Sequence, residues 1–134
     1  MTTESLTYGR TDDEWETLIS AAIAFLSERV RLARTTTYTE LNAVLARRTG
    51  LRMFDFEDAS ERAAMGHLLG QVVGRDFPTR GYMLSALVIY LGGNDAGSGF
   101  YSLATQMGLF QPGGDKLSFW LDQLKGLASA GGRH

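Results

Sequence analysis

Between Asp58 and Gly74 the sequence distributes three kinds of side chain at helical spacing, and this stretch does most to limit the folds open to the chain. With successive residues about 100° apart, Met65, Leu68, Leu69, Val72 and Val73 share one face. Ala59, Ala63, Gly66, Gly70 and Gly74 form an adjacent small-residue stripe, and Ser60, Ala64, His67, Gln71 and Arg75 make a polar third side. Such a helix must be covered on its apolar face and wet on its polar one. The small stripe predicts close packing against a neighbouring element. The rest of the chain therefore has to supply further layers.

Other helices are signalled at their ends. Thr11 and Glu14 make a Thr-x-x-Glu capping box ahead of Trp15, Leu18, Ile19, Ala22, Ile23, Leu26 and Val30, which predicts an amphipathic helix of about 20 residues. Thr35 to Tyr38 is β-branched and aromatic, hence extended. A second box, Thr37 and Glu40, opens a helix that buries Leu41, Val44 and Leu45 and stops at Gly50. Leu51 to Asp58 reads as a loop that tucks Met53, Phe54 and Phe56 inward. Pro78 and Gly81 separate the third helix from Tyr82 to Leu91, a near-continuous apolar run that predicts a strand covered on both faces. A loop from Gly92 to Gly99 leads to a short helix ending near Leu109, and Asp115 caps a last helix with Leu117, Trp120, Leu121, Leu124 and Leu127 inward. The expected architecture is α+β and mainly helical: about five helices with a small sheet, winged-helix-like. It forms one domain over residues 1–134, with flexible ends at 1–10 and 129–134.

Composition narrows the function classes. A chain of 134 residues, 44% hydrophobic and 21% charged, has the make-up of one ordinary globular domain. With no cysteine, disulfide scaffolding, thiolate catalysis and cysteine-based zinc sites are excluded. The longest apolar run is about half the length of a membrane span, and residues 1–16 lack the apolar centre of a secretory signal. The expectation is a cytoplasmic protein without a membrane partner.

Catalytic candidates are few. His67 and His134 are the only histidines, so no His-Glu-x-x-His metal helix or histidine triad can be assembled. Asp55, Glu57, Asp58 and Glu61 precede or open a helix, where the dipole favours acids and solvent surrounds them. The glycine-rich loop lacks the Gly-Lys-Ser/Thr ending of a phosphate loop. No catalytic residue, metal or cofactor is implied.

The net charge of -2 conceals local blocks. Residues 28–52 hold six basic and two acidic side chains, between acidic stretches on either side. Arg29, Arg31 and Arg34, then Arg47, Arg48 and Arg52, flank the second helix, where phosphate contacts would position a reading helix. A helix pair followed by a longer helix and a strand is the order of a winged helix-turn-helix. In that frame Ser60, His67, Gln71 and Arg75 project toward base edges.

Thr37-Tyr38-Thr39-Glu40-Leu41, Arg62-Ala63-Ala64-Met65-Gly66, the apolar run, the glycine-rich loop and Phe119-Trp120-Leu121 occur in an order that resembles the winged-helix C-terminal domain of the O6-alkylguanine-DNA alkyltransferases and alkyltransferase-like proteins. The likeness extends over roughly residues 35 to 125. It implies that Tyr38 and Arg62 help rotate a base out of the duplex. Where that family carries a Pro-Cys-His-Arg motif, this chain reads Met83-Leu84-Ser85-Ala86-Leu87-Val88, which excludes alkyl transfer. On the helical projection Arg62 falls near the apolar face, which suits packing or an ion pair.

Two functions remain. One is a non-enzymatic protein that binds double-stranded DNA, a small bacterial or phage regulator, through the arginines above, Tyr38 and the polar side of the third helix. The other is a protein-interaction module or homodimer on the same scaffold, anchored by Tyr101, Phe110, Phe119 and Trp120.

Overall fold

The computed structural model describes residues 5–90 and 97–131. The first capping box forms in full: Glu14 N donates to Thr11 Oγ1 at 3.1 Å and Thr11 N donates to Glu14 Oε1 at 2.9 Å. Helix α1 then runs Asp12–Leu32 and closes through Ala33 in the left-handed region. Strand β1 is Thr36–Thr37, and α2 is Tyr38–Thr49. Only half of the second box forms. Glu40 N donates to Thr37 Oγ1, whereas the Glu40 carboxylate accepts from Thr36 and Arg29 instead of the cap backbone.

Helix α3 is Ala59–Arg80, a turn and a half longer than its expected end at Gly74. Pro78 lies inside it rather than after it. The missing N–H removes one helical bond, but two local bonds and one tertiary bond hold the last turn. Arg80 Nε donates to Asp76 at 2.8 Å, Arg80 Nη2 donates to Ser27 at 2.9 Å, and Gly81, at φ +80°, returns its N–H to Phe77 O.

The expected strand at Tyr82–Leu91 is corrected. Leu84–Leu87 forms a 3-10 turn, and among the described residues of this run the strand is confined to Val88–Ile89 (β2), pairing parallel to β1 with Thr36 opposite Val88. The cause is the supply of backbone partners. A strand buried among helices with a two-residue neighbour would leave most of its N–H and C=O groups unpaired, and the 3-10 turn satisfies part of them internally. Side chains supply more: Met83 N donates to Gln123 Oε1 and Trp120 Nε1 donates to Ala86 O, both at 2.8 Å.

Helix α4 is Ser98–Gln106, shorter than expected, and α5 is Lys116–Gly131. Of the expected Gly92–Gly99 loop, residues 92–96 lie outside the described residues, while Gly97 caps α4 and Ser98 and Gly99 are helical. Asp115 caps α5 by accepting from Ser118 N. The five helices and the two-stranded sheet make the mainly helical α+β fold that the sequence predicts. None of the described helices is long and apolar enough to cross a membrane.

Helix α1 is central, packed by α2, α3, α5 and the 3-10 turn. Its buried side chains, from Trp15 to Val30, meet Leu41 and Leu45 of α2, Leu68 and Val72 of α3, and Leu127 of α5 in one core. Leu117 and Leu121, expected inward, are 53% and 49% exposed, because Trp120, Gln123 and Leu127 form the inner side of α5. In the 51–58 loop Phe54 is buried and Phe56 half-buried, but Met53 is exposed. Asn42 fixes this loop: its Nδ2 donates to Phe54 O and its Oδ1 accepts from Phe54 N, both at 2.9 Å in the interior. Asn42→Ala leaves both backbone groups without partners, and urea denaturation is expected to show a loss of about 2 kcal/mol.

Of the ends expected to be flexible, the described parts carry local structure. Residues 7–10 form a tight turn, with Tyr8 and Gly9 at positive φ and Thr7 and Arg10 exchanging backbone bonds. Trp15 Nε1 pins that turn by donating to Thr7 O at 2.9 Å. At the other end the α5 backbone continues to Gly131.

Candidate nucleic-acid interface

Packing of α3 against α1 decides what its surfaces can do. The polar side borders α1, and most of it is engaged there. Ser60 belongs to the helix cap, its N and Oγ both donating to Asp58 Oδ1. His67 is half-buried, edge-on to Trp15 at 4.8 Å and close to Tyr8 at 5.7 Å. Arg75 is held in two bonds by Glu16, at 2.9 and 2.6 Å, and this pairing lowers the Glu16 pKa and raises that of Arg75. Gln71 alone of the four is exposed without a partner. The expected reading face is corrected accordingly: it offers one free side chain. Ala64, assigned to that face, is fully buried.

The small-residue stripe behaves oppositely to expectation. Ala59, Ala63, Gly66 and Gly74 are exposed and Gly70 is half-buried. A Cβ added at Gly66, Gly70 or Gly74 would meet no atom within 4 Å, so close helix packing does not explain these glycines. Instead, Gly66 and Gly70 floor a groove. Its inner part, about 250 Å³, lies between Tyr38, Leu69, Ser85, Phe100 and Leu103; its outer part, about 490 Å³, adds Phe56, Arg62, Met65 and Tyr90. Tyr38 lines both parts, its ring 5.0 Å from that of Tyr90. Burial, with Tyr90 nearby, pushes the Tyr38 phenol up to about 12, so it remains a hydrogen-bond donor at neutral pH. The Tyr90 ring comes close to Gly97, where a Cβ would sit 2.9 Å from it and the ring would have to shift. Ser85 Oγ, at the inner end, is the one buried side-chain polar atom without a hydrogen bond among the described residues. Arg62, expected near the apolar face, is exposed at the outer rim and donates to Phe56 O at 2.7 Å.

The basic segment divides into two sets. Arg29 pairs with Glu40 at 3.0 Å, and Arg48 is held by both oxygens of Glu28 at 2.9 Å. Both guanidinium groups also lie over the Phe25 ring, at 5.0 and 5.4 Å. The Arg48 bonds depress the Glu28 pKa. Arg52 pairs with Glu61 at 3.1 Å. Arg31, Arg34 and Arg47 are exposed and make no hydrogen bond or close ion pair among the described residues, although the Arg31 charge lies near enough to Glu28 to help lower its pKa.

Glu61 corrects another expectation. Grouped by sequence with solvated helix-start acids, it is 7% exposed and bound in two bonds, 2.9 and 3.0 Å, to Arg10, itself 2% exposed. The Arg10 guanidinium also stacks 4.1 Å above Phe54. Arg10 first, then the Asp55 N–H and Arg52, lower the Glu61 pKa to about 2. Sequence reasoning missed Arg10 altogether, since an arginine four residues before Glu14 carries no mark of burial.

The aromatic residues expected to anchor an interface are core or half-buried. Tyr101, Phe110 and Trp120 are buried, and Phe119 packs at 5.1 Å on Phe110 and 5.6 Å on Phe100. Comparisons with protein-family models, curated proteins and solved structures find no match to this chain.

Proposed function

We propose that this chain is a non-enzymatic protein that binds double-stranded DNA, with Arg31, Arg34 and Arg47 as its phosphate contacts and the Tyr38 groove as an acceptor for an unstacked base. One observation carries the proposal: every other arginine among the described residues already has a carboxylate or carbonyl partner, while these three do not. Guanidinium groups without a hydrogen bond or close ion pair of their own, at the ends of α1 and α2, are suited to phosphates and release counterions on binding. The groove adds aromatic surface at Tyr38, Phe56 and Tyr90, room above the α3 glycines, and Ser85 Oγ as a hydrogen-bonding group at its inner end. An extruded base needs such stacking surfaces and an edge contact.

Anisotropy titration of a labelled duplex at about 50 and 200 mM salt tests the reading; affinity is expected to fall steeply between them. A 2-aminopurine in the duplex is expected to brighten on binding by the wild type and far less with Tyr38→Ala. Absence of binding at low salt overturns the proposal. Self-association then becomes the preferred function, favoured by Leu117 and Leu121, which lie one turn apart and exposed on α5.

A further inference from the structure

A separate cavity of about 290 Å³ lies where the end of α1, the start of β1, the end of the 3-10 turn and the last turns of α5 converge. Its wall is apolar: Val30, Leu87 and Leu127 are buried, and Leu124 is half-buried. Two cations line it, Arg34 and Lys125, and no acidic side chain does. Neither cation has a partner among the described residues, although six arginines elsewhere are ion-paired. Two of the carbonyls in the last turn of α1 are already satisfied, because Ala33 N and Arg34 N donate to Val30 O and Arg29 O. Among the described residues, these two like charges beside a shared apolar wall have neither a counter-charge nor a cover. One occupant supplies both: a compact organic anion whose carboxylate meets the cations and whose hydrocarbon part meets the leucines. The volume, about 290 Å³ and so just below the roughly 300–1,000 Å³ of small-molecule sites, limits that part to a single ring or a short chain.

We infer that this cavity is a binding site for a small aromatic or short-chain carboxylate. The inference does not depend on DNA binding, and its test uses no DNA. Phenylacetate is titrated into the full chain by calorimetry and by two-dimensional NMR, with phenylacetamide and inorganic phosphate as controls. Phenylacetate is expected to saturate with a Kd at or below about 1 mM, shifting Leu87, Leu124 and Leu127. Neutral phenylacetamide is expected to bind about tenfold more weakly, and Arg34→Gln and Lys125→Gln each to weaken phenylacetate five- to tenfold, as loss of a charge-assisted contact requires. Both substitutions are at exposed positions, and an unchanged circular dichroism spectrum checks that the fold is kept. Ala128→Phe, which narrows the cavity, is expected to abolish saturation. The inference is overturned if phenylacetate fails to saturate by about 10 mM. It also fails if phosphate perturbs the same leucines as strongly, if the amide binds equally, or if the glutamine variants bind like wild type.

Discussion

Glu61→Gln is expected to destabilise the protein by about 3–5 kcal/mol in urea denaturation at pH 7. The substitution removes the charge that holds Arg10, and Arg10, only 2% exposed, cannot turn to water without dismantling the turn at residues 7–10. A buried charge without a counter-charge is the costly case; the intact pair need not be more stabilising than apolar packing. Arg10→Met combined with Glu61→Leu is therefore expected to recover most of the loss. Acid should show the same interaction. Because the folded pKa of Glu61 lies at about 2, below its ordinary 4.5, its contribution is complete above pH 4.5 and is lost as pH falls toward 2. That window corresponds to about 3 kcal/mol for this group, and the gap between wild type and Glu61→Gln should narrow across it. A cost below about 1 kcal/mol at pH 7 would mean that the pair does not seal this corner of the fold.

Legibility in the sequence followed the range of the forces involved. Helix starts were readable because capping acts over three residues: Thr11 and Glu14 form the full box, Thr37 accepts from Glu40 N although the return bond of its box does not form, and Asp115 caps by accepting from Ser118 N. The apolar face of α3 was readable from periodicity. Long-range partners were not. An apolar run such as Tyr82–Leu91 has the same composition as strand or as buried turn, and the absence of a neighbouring strand, which decided the matter, is a property of the whole fold. Pro78 argued for a helix end, and the bond from Arg80 to the distant Ser27 helped to override it. The site divided in the same way. The positive block at residues 28–52 is a fact of composition, but which arginines remain free depends on Glu28, Glu40 and Glu61 lying beside particular partners. Likewise the α3 glycines suggested close packing, and that no neighbouring element comes near Gly66, Gly70 or Gly74 is a property of the whole fold.

Replacing Arg31, Arg34 and Arg47 together by alanine is expected to flatten the dependence of log affinity on log salt by about 3 and to weaken duplex binding on the order of 100-fold or more at about 50 mM salt. All three side chains are exposed, so stability should change little. The sharper comparison sets Arg47→Ala against Arg48→Ala. These neighbours carry the same charge and sit in the same last turn of α2, so removing either alters the net charge equally. Arg48 is already held by both oxygens of Glu28, whereas Arg47 has no partner to leave. A phosphate contact therefore requires the salt slope to fall by about 1 for Arg47→Ala and to stay near the wild-type value for Arg48→Ala. Equal effects of the two would assign binding to the general field of the basic segment, and the three free arginines would lose their separate role.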